Sequence, residues 1–399
     1  MSQYINKMSH VEDKWIKEIT TTIIENLGSN VDEAQYEVCG FTNYIMSIQY
    51  YLNVKFKNKN SHSEEVSIIL KRPTQSERNR VLNRTDYQFH NEILFYRMYI
   101  QPGEHFAKCF YANEQPPFDS VIALENISKR GYCPCPYMYD IPLEYTLAAF
   151  REMGRFHGKG YVMKELQCEK FFDIMKQIQE IRYDAMCEWK HFVDVNATRA
   201  VEYLRNHGHD VTFCDKMEAL LSQAFDKVLM KIVEPREPLS TLCHGDFTLS
   251  NILFKTENGK HDAILIDFAL CRYSTPVIDL STYICLCCSN EMIKDKFFEI
   301  MRVYHDALKK YLLEAGVSNI EKYSYEALLD DYKRGGLFGF IIASFFLPIL
   351  RGYYTLDPEQ LVCLTVGKGN IKQYGGDEIS KILADMLLHL MDFGCLTYF

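Results

Sequence analysis

The sequence predicts an α+β protein of two lobes, a small β-rich one followed by a larger, mainly helical one. Between Val31 and Leu124, short alternating or β-branched runs are separated by polar stretches. Beyond Glu125, apolar residues recur mostly at helical spacing. With 399 residues, 47% of them hydrophobic and 24% charged, the chain can bury two cores, and the expected division is 1–124 and 125–399.

The elements follow in order. Trp15, Ile16, Ile19, Ile23 and Leu27 recur at helical spacing before Gly28, which predicts a leading amphipathic helix and not a targeting segment. Tyr36 to Gly40, Ile45 to Leu52 and Val66 to Lys71 read as strands, with the polar stretch from Lys57 to Glu65 as a loop. Phe89, Ile93, Tyr96 and Ile100 mark one face of a helix over Thr85 to Ile100. Two more strands are expected at His105 to Ala112 and Ser120 to Leu124, giving the order β-β-β-α-β-β. The clearest helix of the second lobe runs from Leu143 to His157, and the apolar stretch Leu337 to Leu350, interrupted by Gly339 and Pro348, reads as a buried helix too short to span a membrane.

A net charge of −9 and the lack of any Lys/Arg-rich run argue against nucleic acid or an anionic membrane as partner and favour a small molecule. Fourteen cysteines without a secretory signal point to a reducing compartment, the cytosol. Cys133-Pro134-Cys135 and the group Cys285, Cys287 and Cys288 lack a second pair at zinc-site spacing, so core packing is the preferred reading for them.

The chemistry concentrates in His244-Gly245-Asp246, Asn251 and Asp267. Phosphoryl transfer needs a carboxylate to accept the proton of the attacking hydroxyl and hard oxygen ligands for Mg²⁺ on the nucleotide phosphates. Asp246 suits the first task, while Asn251 and Asp267 suit the second. Asn251 follows Asp246 at the Asp-x-x-x-x-Asn interval of kinase catalytic loops, and an Asn258-Gly259 turn returns the chain as a hairpin that ends on Asp267. In the first lobe Lys71 ends a strand and Glu92 lies on the following helix, a pair suited to steadying the α- and β-phosphates of ATP. Cys39 to Tyr44 offers a phosphate loop, with Gly40, Thr42 and Asn43 as the contacting residues, although an ordinary hairpin turn explains the stretch nearly as well. Backbone groups at Glu125 and Ile127 fall where an adenine edge would lie.

With these residues assembled, the chain resembles the ecdysteroid-kinase-like (CHK-like) family, relatives of choline kinases and aminoglycoside phosphotransferases. The resemblance covers roughly Val31 to Leu350 and also draws on Phe156-His157 and Pro276-Val277-Ile278-Asp279-Leu280. It implies a bilobal protein-kinase-like fold, ATP with Mg²⁺, and transfer of the γ-phosphate to a hydroxyl of a small molecule, a steroid-like alcohol by family analogy. It also implies Asp246 as base, Asn251 and Asp267 as metal ligands and Lys71 as phosphate anchor. His244 is expected to orient the loop, Asp279 to cap or brace the helix near Leu280, and His157 to be a packing residue. Thr248, Ala269 and Met46 depart from the family pattern, where tryptophan, glutamine and serine are usual. Two alternatives stay open: a choline or ethanolamine kinase, for which Trp189, Tyr353 and Tyr354 supply aromatic groups, and a nucleotide-binding pseudokinase scaffold.

Overall fold

The computed structural model describes residues 10–27, 34–57, 62–184, 187–354 and 369–399. It divides into two compact units, Met1–Gly131 and Tyr132–Phe399.

The first unit is a five-stranded antiparallel sheet with a helix on each face. The strands β1 (Gln35–Asn43), β2 (Ser47–Lys57), β3 (Ser63–Pro73), β4 (Cys109–Asn113) and β5 (Val121–Glu125) take the order β1-β2-β3-β5-β4. Strand alternation sends Ile48, Tyr50, Leu52, Val54 and Phe56 of β2 to one face with Ile68 and Leu70 of β3. There they pack with Trp15, Ile16, Ile23 and Ile24 of α1 (His10–Asn26). Two polar contacts secure that helix: Tyr50 donates to Glu12 Oε1 at 3.0 Å, and the Arg72 guanidinium lies 4.4 Å from the Trp15 ring centre. Residues of odd number on β3 point the other way, so Lys71 faces α3 (Thr85–Leu94), which follows the short α2 (Glu77–Leu82).

Three boundaries differ from the sequence reading. The helix expected over Thr85 to Ile100 changes at Phe95 into a π-helical turn, Phe95–Tyr99, closed by Ile100 N–H donating to Phe95 C=O at 3.2 Å. The wide turn brings the Phe95 ring against Tyr99 and Phe106, both at 5.4 Å. His105 to Lys108 lies outside the β4 ladder, with Phe106 buried in this aromatic cluster. Gly40, Thr42 and Asn43 do not form a loop: they belong to β1, paired with Tyr51, Gln49 and Ile48, and the turn is Tyr44 to Met46. The long partner strand β2 offers every one of them a pairing position, which an open loop would forgo.

The second unit is mainly helical. Its long central helix α4 (Leu143–Leu166) follows β6 (Cys133–Pro134), and α5 (Cys168–Met175), α6 (Lys190–Ala197), α7 (Arg199–Asn206), α8 (Val211–Leu221) and the short α9 (Met230–Ile232) come after it. Two small β-structures interrupt the helices. β7 (Thr241–Cys243) pairs with β10 (Arg272–Ser274), and β8 (Ile252–Glu257) pairs with β6 and β9 (Lys260–Leu265). Asn258 and Gly259, at φ 51° and 73°, make the tight turn between β8 and β9 that the sequence predicts.

Helices α10 (Val277–Cys287), α11 (Asn290–Glu314), α12 (Tyr325–Gly335), α13 (Leu337–Leu350) and α14 (Gly376–Asp392) complete the unit. α11 packs along α4, and α13 packs on α10 so closely that a Cβ at Gly339 would lie 2.1 Å from the Ser281 carbonyl oxygen. Arg199 of α7 is fully buried and donates to the carbonyls of Tyr374 and Gly376 and to Ser380 Oγ, which binds the start of α14 to the body. Among the described residues no single helix is long and apolar enough to cross a membrane, and α13 is buried as its sequence predicts.

Candidate active site

The His244-Gly245-Asp246 loop leaves β7 at Cys243 and is held from beneath by one carboxylate. Asp279, in the first turn of α10 and 1% exposed, accepts the His244 N–H on Oδ2 at 2.7 Å and the Gly245 N–H on Oδ1 at 2.8 Å. His157 Nε2, from α4, lies 3.0 Å from the same Oδ2, and its Nδ1 meets the Tyr304 hydroxyl at 2.8 Å. A buried carboxylate is stable only when its oxygens are satisfied, and here two backbone donors and an imidazole do so. Asp279 therefore braces the His244–Asp246 loop and not only its own helix, which corrects the sequence expectation. Burial pushes the Tyr304 phenol well above its usual range, which keeps it a hydroxyl in this chain of contacts.

Gly245 is required where it stands. Its φ of +77° is in the left-handed region, and a Cβ there would lie 1.9 Å from the Leu270 carbonyl oxygen. His244 is buried and reaches across to the Ile266 carbonyl, with Nε2 to oxygen at 3.0 Å, while its Nδ1 accepts the Asp246 N–H at 3.3 Å. It thus ties the loop to the end of β9, the orienting role its position suggested.

Asn251 and Asp246 are joined directly. The Asn251 amide nitrogen donates to both the Asp246 carbonyl and Asp246 Oδ2, each at 2.9 Å, which fixes the amide orientation because both partners are acceptors. Its amide oxygen is left as an acceptor. Asp267 follows Ile266, whose N–H donates to the Asn251 carbonyl at 3.0 Å, and takes φ +66°. That strained backbone, uncommon outside glycine and asparagine, is held on the other side by Phe268, stacked 5.7 Å from Phe156 and fully buried. An amide oxygen and a carboxylate on adjoining, hydrogen-bonded segments are hard donors of the kind Mg²⁺ takes, so these residues fit such an ion.

A cation stands beside Asp246. Arg182 Nη1 lies 3.9 Å from Asp246 Oδ1, with side chains 29% and 32% exposed. Nothing in the sequence marks Arg182, which belongs to an irregular segment between helices.

In the first unit, Lys71 Nζ donates to both oxygens of Glu92, at 2.9 and 2.7 Å, with the two side chains 9% and 3% exposed. Gly40, Thr42 and Asn43 lie on β1 as described, and the Thr42 hydroxyl is 3.4 Å from the Tyr51 hydroxyl. At the end of β5 the Glu125 N–H donates to the Lys108 carbonyl at 2.8 Å, and Ile127 opens a 3₁₀ turn, Ile127–Arg130, capped by Asn126. The Glu125 N–H is therefore already committed to the segment before β4.

Aromatic residues named for a cationic head group are engaged elsewhere. Trp189 packs edge-on against Phe192 at 5.8 Å, Tyr353 donates to Glu378 Oε2 at 2.5 Å, and Tyr354 lies 4.6 Å from Tyr374. Cys285, Cys287 and Cys288 are buried along α10, and burial pushes the Cys288 thiol up to about 12.

The model of the ecdysteroid kinase-like family matches residues 41–317. The chain belongs to the ecdysteroid kinase-like family. Its match begins within β1 and ends just after α11, so it takes in every residue of the loop, its brace and the Lys71–Glu92 pair. Among solved structures the chain is similar to a microcompartment-associated aminopropanol kinase, at 11% identity and a TM-score of 0.36, covering 95% of this chain and 98% of that one. It is also similar to a thermostable mutant of the aminoglycoside phosphotransferase APH(4)-Ia in ternary complex with AMP-PNP and hygromycin B, at 15% identity and a TM-score of 0.34, covering 84% and 99%. No curated protein matches.

Proposed function

We propose that this chain is an ATP- and Mg²⁺-dependent kinase that transfers the γ-phosphate to a hydroxyl of a small molecule, with a steroid-like alcohol as the acceptor class. The observation that carries the proposal is the Asn251 amide pinned to Asp246 within a loop whose own backbone is held by a buried carboxylate. Such rigid placement is what a phosphoryl-transfer site requires, because positioning and electrostatics supply nearly all the catalysis.

Asp246 takes the acceptor's hydroxyl proton, and the Asn251 bond to Oδ2 directs the other carboxylate oxygen outward. Asn251 and Asp267 hold the metal ion, which when bound neutralises charge on the nucleotide phosphates. Lys71, oriented by Glu92, meets the α- and β-phosphates. Gly40, Thr42 and Asn43 lie along the phosphate chain, and Glu125 and Ile127 border the adenine. In this reading residues 1–124 serve the nucleotide and 125–399 carry the catalytic loop and the acceptor.

The test is incubation with ATP, Mg²⁺ and separate pools of lipophilic alcohols and cationic amino-alcohols, followed by mass spectrometry for products heavier by one phosphate. Wild type is expected to modify a lipophilic alcohol, and Asp246→Asn to lose about 10²–10⁴-fold in turnover. Phosphorylation confined to amino-alcohols would overturn the acceptor assignment. Turnover surviving in Asp246→Asn would overturn the role of the base.

A further inference from the structure

We infer that Arg182 is a catalytic residue, the cation that meets the phosphoryl group in flight between ATP and the acceptor; this rests on the proposed function. Its position is built with more structure than a chance surface pair needs. Glu180 folds back on its own segment, and its Oε1 accepts the N–H groups of Ile181, Arg182 and Tyr183 at 2.9, 2.8 and 2.8 Å. The other oxygen, Oε2, meets Arg272 Nη2 at 3.1 Å. Arg272 lies on β10 directly opposite Cys243, the residue before the catalytic loop, and its guanidinium sits 4.9 Å from the Tyr183 ring centre. Tyr183 packs against Phe338 at 5.7 Å.

The anchors therefore close a ring: β7 to β10, β10 to Glu180, Glu180 to the turn, and the turn through Arg182 back to Asp246. Among the described residues Asp246 carries the one carboxylate within 4.0 Å of the Arg182 guanidinium. An ion pair this exposed contributes little to folding, so it does not account for a turn fixed by three backbone bonds. Arg182, Tyr183 and Arg272 line a small concavity between this turn and Gly245. With 29% of its side chain exposed, Arg182 remains open to solvent beside Asp246, next to where charge develops during transfer.

In the step itself the acceptor oxygen bonds to Pγ as the bond from Pγ to the bridging oxygen of ADP breaks. The bonding pair leaves with ADP, and the hydroxyl proton passes to Asp246. Arg182 donates its N–H groups to the equatorial oxygens of the phosphoryl, where a guanidinium is worth most because their charge is most spread in the transition state.

The test uses the full chain with ATP, Mg²⁺ and the acceptor pools above, measuring kcat and KM for ATP consumption in wild type, Arg182→Ala, Arg182→Lys and Asp246→Asn. Alongside, melting shifts are read with ADP and Mg²⁺, with and without aluminium fluoride as a planar phosphoryl mimic. Arg182→Ala is expected to lose about a hundred- to thousand-fold in kcat with KM for ATP within a few-fold of wild type. It should keep the ADP shift, lose the added aluminium fluoride shift, and be partly rescued in Arg182→Lys. If Arg182→Ala turns over as fast as wild type or faster while Asp246→Asn is inactive, the inference fails and the proposed function stands. If Asp246→Asn itself turns over normally, the reading of the site fails and the inference with it.

Discussion

At the scale of single residues, the site depends on side chains that never meet a substrate. Asp279 satisfies three donors at once, and Asp279→Asn would turn an amide NH₂ toward at least one N–H. Leaving a buried donor unmatched costs about 1–3 kcal/mol, and here the unmatched donor belongs to the catalytic loop. Asp279→Asn is therefore expected to lower kcat at least tenfold, with a smaller change in KM for ATP and an earlier urea midpoint. Equal loss in KM and kcat would show that the loop is not what Asp279 holds. The placement of Asp246, Asn251 and Asp267 on joined segments was legible in the sequence because it is local: one loop and one hairpin fix their spacing. The role of Asp279 was not, since it acts on a loop 34 residues earlier. A signal existed nonetheless. An acid inside Val277-Ile278-Asp279-Leu280 and an imidazole beside Phe156 are polar groups in apolar runs, and such groups are buried only with partners. Arg182 carries no such mark, because its neighbours in sequence do not predict a carboxylate brought to it from another segment.

At the scale of elements, α10 is the lever between core and chemistry. One end carries Asp279, and its flank meets α13 at Gly339, whose N–H donates to Ser281 Oγ at 3.2 Å. A methyl group at Gly339 would meet backbone, which cannot rotate away. Gly339→Ala is expected to cost about 1–3 kcal/mol in urea unfolding and to depress turnover along with it, because α10 must shift. A stable variant with full activity would disconnect the helix contact from the site. The strands of the first unit were legible from their period of two, most clearly in β2, where one face is buried throughout. Strand ends were less so: whether Gly40 to Asn43 loops or pairs is decided by β2, and the π turn after α3 is decided by where Phe95 finds Tyr99 and Phe106. Both outcomes depend on which neighbouring side chains and strand positions pair, which single-residue propensity does not encode.

For the whole molecule, the folded state keeps several carboxyls, Glu152 and Asp331 most strongly, in surroundings that disfavour their charge. Burial, partly offset by Arg155, raises Glu152 to about 7, and burial, partly offset by Thr275 and Arg236, raises Asp331 to about 6. Each is raised above its unfolded value, so the folded chain holds protons that the unfolded chain has released. Their contribution is full below pH about 4 and is lost as pH rises through 6 to 7, on the order of 2–3 kcal/mol apiece. Urea unfolding should therefore show stability falling between pH 4.5 and 7, with a shallower slope in Glu152→Gln and Asp331→Asn; an unchanged slope would count against both groups. The family match, 41–317, omits α1 and α14, yet α1 seals one face of the sheet and the buried Arg199 fastens α14. The cysteines add a practical consequence. Cys39, Cys133 and Cys168 are exposed, while Cys243, Cys285, Cys287 and Cys288 are sealed inside, and burial holds all four of these thiols well above their usual range. A maleimide added to the native protein would tag the outer set first, so the later appearance of label on α10 would time the opening of the very helix that holds the active-site loop.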